Sequence, residues 1–183
     1  MNRAQWNHLA DDFETEVCDI AREETEDQLG RYVRAARPLP KKSVLVDLGC
    51  GLGSFIRRFQ DRFLEITGVE YAPRIIARAR KNCADVKNVK WLTMDIPRCA
   101  KTIGTVADLT VCMNVITSPS SAKRDAIWKT IAKVTKPDGH AIKIFDVSRM
   151  RGELGFEPKV GLEQGVRKTY GWFAKNISTK VRL

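Results

Sequence analysis

Two histidines in 183 residues, and five cysteines of which no two form a C-x-x-C pair, leave this sequence short of the groups that build metal sites. Cys18, Cys50, Cys83, Cys99 and Cys112 are odd in number, so no disulfide framework is indicated, and they read as small buried apolar residues in a reducing compartment. No apolar run approaches the roughly 20 residues of a membrane-crossing helix. The opening "MNRAQWNHLADD" turns acidic where a secretion signal would be apolar. A cytoplasmic chain with no metal and no membrane partner is expected. Internal repeats and low-complexity tracts are also missing.

What is present is an ordinary core, with 43% hydrophobic residues, enough for one domain. The formal charge of +10 is unevenly spread: residues 1–27 hold nine acids against Arg3 and Arg22, so the rest is more basic than the total implies. A basic body can attract nucleic acid, but these positive residues are scattered without interleaved aromatics and read as solvated faces. The acidic segment either lies against that body or forms a solvated helix.

Trp6, Leu9, Ala10, Phe13, Val17 and Ile20 recur at helical spacing, and Leu29, Tyr32, Val33 and Ala36 continue the pattern up to Pro38 and Pro40. This predicts one or two amphipathic helices. From Lys42 short apolar runs alternate with helical segments: "SVLVDL", "SFIRRFQDRF", "LEITGVE", "PRIIARARKN", "NVKWLTMD", "VADLTVCMN", "SAKRDAIWKTIAKV" and "HAIKIF". Such alternation predicts an α/β, doubly wound, mainly parallel sheet. Pro73 suits a first helical turn, Ser120 or Ser121 an N-cap, and "KPDG" a turn between the last helix and the last strand. Trp6, Trp91, Trp128 and Trp172 read as core residues.

Ligands of an open parallel sheet sit beyond the carboxyl ends of its strands. "VLVDLGCGLGSF" places Gly49, Gly51 and Gly53 there, where the backbone must turn sharply and approach a ligand closely. A dinucleotide loop needs G-x-G-x-x-G, and this spacing fits it only in part. Asp47, two residues before the first glycine, is badly placed beside a pyrophosphate and well placed beside an ammonium group. Glu70 closes the second strand, where a carboxylate can accept from two ribose hydroxyls. Asp95 follows the third strand, positioned to accept from an adenine amino group while Ile96 packs on the ring. Together they describe an adenosine with a cationic, amino-acid-like tail.

Residues 43 to about 144 resemble the class I S-adenosylmethionine-dependent methyltransferases, with "VDLGCGLG", "GVEYAP", "MDI" and "ADLTVCMNVIT" as four motifs in order. The resemblance implies a Rossmann-like fold. It implies that Asp47, Gly49, Gly51 and Gly53 surround the methionine part of the cofactor, Glu70 the ribose, and Asp95 and Ile96 the adenine, with Cys50 and Tyr71 also among the cofactor-binding residues. Asn114 would stand beside the methyl group, and "WNHLADDF" resembles the helix with which small-molecule members cover the cofactor. Asn114 and His8 are the only candidates for a catalytic group. The expected domain is 1–145, with a helical cap over 1–40 and a cofactor core over 43–145.

A sulfonium methyl is already activated, so proximity and alignment can carry most of the acceleration. The exocyclic-amine motif D/N-P-P-Y/F is replaced here by "NVITSP", and the Pro-Cys pair of cytosine C5 methylation does not occur. Both differences favour a small-molecule hydroxyl or amine acceptor over nucleic acid. From Asp146 to Asn176 the text changes character. "DVSRM", "LGFEP" and "GLEQGVRKTYGWF" resemble the end of GDP-fucose synthase and related nucleotide-sugar epimerases. Leu162, Val166, Tyr170, Phe173 and Ile177 predict an amphipathic helix, while Tyr170 and Lys175 miss the Y-x-x-x-K spacing of epimerase catalysis. The tail, 146–183, either covers the fifth strand in place of two further family strands or marks a junction near Ile144 to Asp146. The second reading leaves a cofactor-binding chain of impaired activity, with an exposed sheet edge for homodimer pairing. A nucleic-acid-directed methyltransferase is a third reading, resting on charge.

Overall fold

A computed structural model of the chain describes residues 2–17, 19–38, 41–115 and 120–144, together with Gln164, Arg167 and Lys168. The chain divides into two units, Met1–Asp146 and Val147–Leu183. In the second, Gln164, Arg167 and Lys168 are helical and exposed. The rest of the helix expected over 162–177 lies outside the described residues, as do Cys18 and Trp172.

The first unit is built on five strands, β1 (Val44–Leu48), β2 (Glu65–Glu70), β3 (Val89–Thr93), β4 (Ala107–Met113) and β5 (Thr135–Ile144). All pair in parallel, in the order β3-β2-β1-β4-β5. Strand order reverses between β1 and β4, which makes their carboxyl ends the ligand-binding crevice of such a sheet. The helices are α1 (Arg3–His8), α2 (Phe13–Glu16), α3 (Ile20–Glu23), α4 (Gln28–Ala35), α5 (Ser54–Phe59), α6 (Pro73–Asn82), α7 (Ile96–Ile103) and α8 (Ser121–Val134). The α/β, doubly wound architecture expected from the alternating runs is the one observed.

Alternate residues of the central strands feed two cores. Leu45, Leu109 and Val111 meet Leu29 and Val33 of α4 and Phe55, Ile56 and Phe59 of α5. Val46, Leu48 and Cys112 meet Ile96 and Cys99 of α7 and Ile127, Ile131 and Val134 of α8. Each fully buried side chain of this size contributes about 1.5–3 kcal/mol. Cys50, Cys83, Cys99 and Cys112 are buried thiols, as their sequence reading proposed.

Four local expectations need correction. The N-terminal stripe forms four short helices rather than one or two, because acids interrupt it and cap the local backbone. Asp19 accepts the Arg22 N–H at the start of α3, and Asp12 precedes α2. Helix α7 is absent from the helical runs read in the sequence: Pro97 in its first turn punctuates the sequence like a turn, but it fits the opening turn of a helix. "KPDG" is a bulge within β5 rather than a turn before it, since pairing jumps from Ala107↔Thr135 to Leu109↔His140. Lys136 in that bulge pairs with Asp108 at 2.7 Å, and a Cβ on Gly139 would lie 2.8 Å from the Ala107 carbonyl oxygen. Trp128, finally, is 47% exposed rather than core, with the Lys143 ammonium 5.2 Å from its ring centre. Trp6 and Trp91 are half-buried against core residues.

The acidic N-terminal segment lies against the basic body. Asp11 pairs with Arg74, Glu14 with Arg78, and Glu24 and Asp27 with Arg58. Ala10 and Phe13 complete an apolar cluster with Leu52, Ala72 and Ile75. Pro73 opens α6, and the Ser120 side chain caps α8 by accepting the Lys123 N–H. No described helix is long and apolar enough to cross a membrane.

Candidate functional site

The carboxyl end of β1 is where the chain must leave the sheet, and the residues after it are built for a tight reversal. Gly49, Gly51 and Gly53 have φ of 78°, 51° and 84°, a region that disfavours any side chain. The Gly49 and Cys50 N–H groups both donate to the Val69 carbonyl, at 2.8 and 3.0 Å, which folds the loop back over β2. The loop is also crowded. A Cβ on Gly49 would collide with the Val115 side chain, and one on Gly51 would lie 3.2 Å from the tip of Phe13.

Two carboxylates lie buried beside this loop. Asp47 is 2% exposed and Glu70 8%. Glu70 Oε1 accepts the N–H groups of Tyr71 and Ala72 at 2.8 and 2.9 Å, and the Gly51 N–H also favours its charged form. Burial outweighs these donors, and its pKa is raised. Asp47 is less well served, because its Oδ2 is buried without any partner among the described residues. Burial first, then the negative charges of Asp19 and Glu70, lift its pKa from 3.8 to about 8. The same surroundings push the Cys50 thiol well up, by burial and then by Asp47 and Glu70.

Tyr71 and Asp95 belong to the rim. Tyr71 is half-buried, with Arg3 5.8 Å from its ring centre. Its hydroxyl is raised by burial, then by Glu70 and Asp95, which ties the second and third strand ends to one electrostatic neighbourhood. Asp95 is exposed and precedes α7 without capping it through its side chain. Ile96 is buried in the core cluster beneath. Asn114 ends β4 at φ 51°, and its N–H donates to the Ile144 carbonyl at 3.0 Å. A left-handed Asn at a strand end redirects the chain at the crevice. His8 is exposed in the last turn of α1 and stands outside the buried cluster that includes Trp6 and Phe13.

Asp19 is the site residue that sequence reasoning missed. It reaches the loop from the N-terminal segment, where its Oδ2 accepts the Ser54 hydroxyl, and its charge acts on Asp47. Nothing local in the sequence signals a contact across 35 residues. Two open grooves, of about 460 and 410 Å³, lie between α8 and β5 and beside Arg57 and Arg58; the carboxylates line neither. Phe13 and Val115 crowd the glycines instead. No described group of His, Cys, Asp or Glu could hold a metal ion.

The donor set suits a ligand with a positive end and a hydroxyl-bearing end. Asp47 Oδ2 lacks a donor, Glu70 sits at the end of the neighbouring strand, and the glycine backbone lies between them. The residues present therefore fit S-adenosylmethionine.

Comparison with known proteins gives a consistent result. A family profile described as methyltransferase domain matches residues 45–139. YqeM of Bacillus subtilis (strain 168), whose name assigns it to the methyltransferases, is 26% identical over 123 residues, covering 66% of this chain and 48% of that protein. The chain thus spans about half the length of that relative. GDP-L-fucose synthase 1 of Arabidopsis thaliana is 44% identical over 46 residues, 25% of this chain and 14% of that one. Among solved structures, the N-methyltransferase NodS of Bradyrhizobium japonicum WM9, in complex with S-adenosylhomocysteine, superposes with a TM-score of 0.58 at 17% identity. That superposition covers 75% of this chain and 71% of NodS, and at this identity it speaks for the fold.

Proposed function

The chain belongs to the methyltransferase-domain family, and from that premise we propose that it binds S-adenosylmethionine and methylates a hydroxyl or amine of a small-molecule acceptor. The observation that carries the reading is the buried, unpartnered Oδ2 of Asp47, next to Glu70 at the strand-order reversal. An unsatisfied buried carboxylate oxygen is costly, and an ammonium group would satisfy it.

When bound, the cofactor supplies an activated sulfonium methyl. Asp47 would receive the amino group of the methionine part, and the turns at Gly49, Gly51 and Gly53 would let the backbone approach it. Glu70 would use its remaining acceptor capacity on the ribose, with Tyr71 at its side. Asp95 and Ile96 would hold the adenine from the third strand, and Asn114 would face the methyl group. Phe13, already against Gly51, would exclude water from above. Alignment then does most of the work, and His8 has no role in this account.

Calorimetry with S-adenosylhomocysteine tests the binding step. Glu70→Gln keeps an oxygen for the Tyr71 and Ala72 N–H groups and removes the charge, and it should weaken binding about tenfold, the loss expected for one charge-assisted hydrogen bond. Absence of binding at millimolar ligand would refute the proposal. A second reading, a cofactor-binding chain of impaired turnover, is favoured by the partial match to a GDP-L-fucose synthase. Binding without methyl transfer to any pool of small acceptors or RNA would select it.

A further inference from the structure

Among the described residues, no donor to Oδ2 and no positive charge of the kind that normally holds a buried carboxylate ionised acts on Asp47. Its Oδ2 has no donor, and the two charges that act on it are both negative, Asp19 before α3 and Glu70 at the end of β2. The remaining groups coupled to it are thiols: Cys50 in the loop, Cys83 after α6 and Cys112 on β4, each pushed up by burial and so each keeping its own proton. Buried, with no donor on Oδ2 and only negative charges acting on it, the acid is favoured in its neutral form. A ligand ammonium brings donors and a positive charge together.

On the cofactor reading above, we propose that docking of a cationic amino-acid tail expels one proton from Asp47, so that ligand capture and proton release are a single event. The O–H bond of the neutral acid breaks, its electron pair remains on the carboxylate oxygen, and the proton passes to the solvent buffer. The ammonium keeps its three protons and takes up the donor position. Affinity therefore rises with pH for as long as the unliganded carboxyl is protonated. A nucleoside without the tail would meet Glu70, which already accepts from Tyr71 and Ala72, together with Tyr71, Asp95 and Ile96, but brings no ammonium to Asp47 and so expels no proton from it.

The test is calorimetry on the full chain at pH 6, 7 and 8, in phosphate and in imidazole, whose ionisation heats differ. The ligands are S-adenosylhomocysteine and 5′-methylthioadenosine, which keeps the nucleoside and lacks the amino-acid tail. With S-adenosylhomocysteine, about one proton should be released per ligand at pH 6 to 7, and affinity should tighten about tenfold over that pH unit. With 5′-methylthioadenosine both effects should vanish, and Asp47→Asn should abolish them for S-adenosylhomocysteine. Equal heats in both buffers with flat affinity would overturn the proton exchange and leave the cofactor reading standing. Equal proton release by the two ligands, or full pH dependence in Asp47→Asn, would also overturn it. No binding by either ligand would overturn the inference and the cofactor reading together.

Discussion

Replacing Asp47 with Asn should make the unliganded chain more stable and a poorer binder, and the stability half of this expectation can be worked out from the fold. The carboxyl is 2% exposed, with its pKa raised from 3.8 to about 8. Between those values the folded state holds a proton that the unfolded chain has released. The slope of stability with pH is therefore negative, about 1.4 kcal/mol per pH unit for one proton. The stability present below pH 4 is lost as pH rises toward 8. At pH 7, roughly three units above the unfolded value, the loss is about 4 kcal/mol, a large part of the 5–15 kcal/mol typical of a whole domain. Asn occupies the same space and does not titrate, so its advantage over Asp should widen from about 1.5 kcal/mol at pH 5 to about 4 kcal/mol at pH 7. Urea unfolding of both chains at half-unit steps from pH 5 to 8 measures that gap. Parallel stability curves would show that Asp47 is ionised in the fold, and the electrostatic reasoning would fail.

Three further outcomes follow from other parts of the fold. Gly139→Ala should destabilise by about 2 kcal/mol, since the new methyl would press on the Ala107 carbonyl, and thermal unfolding reads this directly. Arg58→Gln should cost about 1 kcal/mol at low salt and less in molar salt, because Arg58 joins Glu24 and Asp27 of the N-terminal segment to α5. Hydrogen exchange in residues 2–27 should rise with it, while that of β1 and β4 should not. Native alkylation at pH 7.5, read by peptide mass spectrometry, should leave Cys50, Cys99 and Cys112 almost unmodified. Burial raises all three thiols, Cys99 to about 11 and Cys112 to about 12, so little nucleophilic thiolate is present.

The sheet was legible because its code is local. β1, β2 and β4 are central strands covered on both faces, so they read as short, predominantly apolar runs, and α5, α6 and α8 carry a helical period of their own. Residues whose conformation depends on distant partners were not legible. The bulge at 136–139 exists because Lys136 meets Asp108 and because Gly139 passes close to the Ala107 carbonyl, and neither contact appears in "KPDG". The apolar stripe of Trp6 to Ile20 is real, but its helical continuation loses to acids that cap the backbone and pair with Arg58, Arg74 and Arg78 of the body. Trp128 shows the limit of composition as a guide to burial: a tryptophan on the outer side of α8 is stabilised by the Lys143 ammonium above it.

The site divides in the same way. That Asp47, Glu70 and the glycines stand together at neighbouring strand ends was readable, because an acid before a glycine turn and an acid closing the next strand are both sequence-local features. Their protonation states were not readable, since they depend on what lies opposite. Glu70 gains the N–H groups of Tyr71 and Ala72, which follow it directly, and that of Gly51 from the loop folded over β2, whereas Asp47, one strand away, gains two negative neighbours and, among the described residues, no donor on Oδ2. Two carboxylates that look alike in sequence therefore differ in their readiness for a ligand. The first has most of its hydrogen bonds made before anything binds, and the second has an unmet requirement. On the proposed cofactor reading, that asymmetry would orient the ligand, with its hydroxyl-bearing part toward β2 and its cationic part at β1. Asp19 strengthens it from a segment whose own ion pairs hold it against the body. Loosening those ion pairs should therefore lower the pKa of Asp47 as well as expose the loop, so in Arg58→Gln the pH at which S-adenosylhomocysteine affinity levels off should fall. An unchanged levelling point would remove Asp19 from the account.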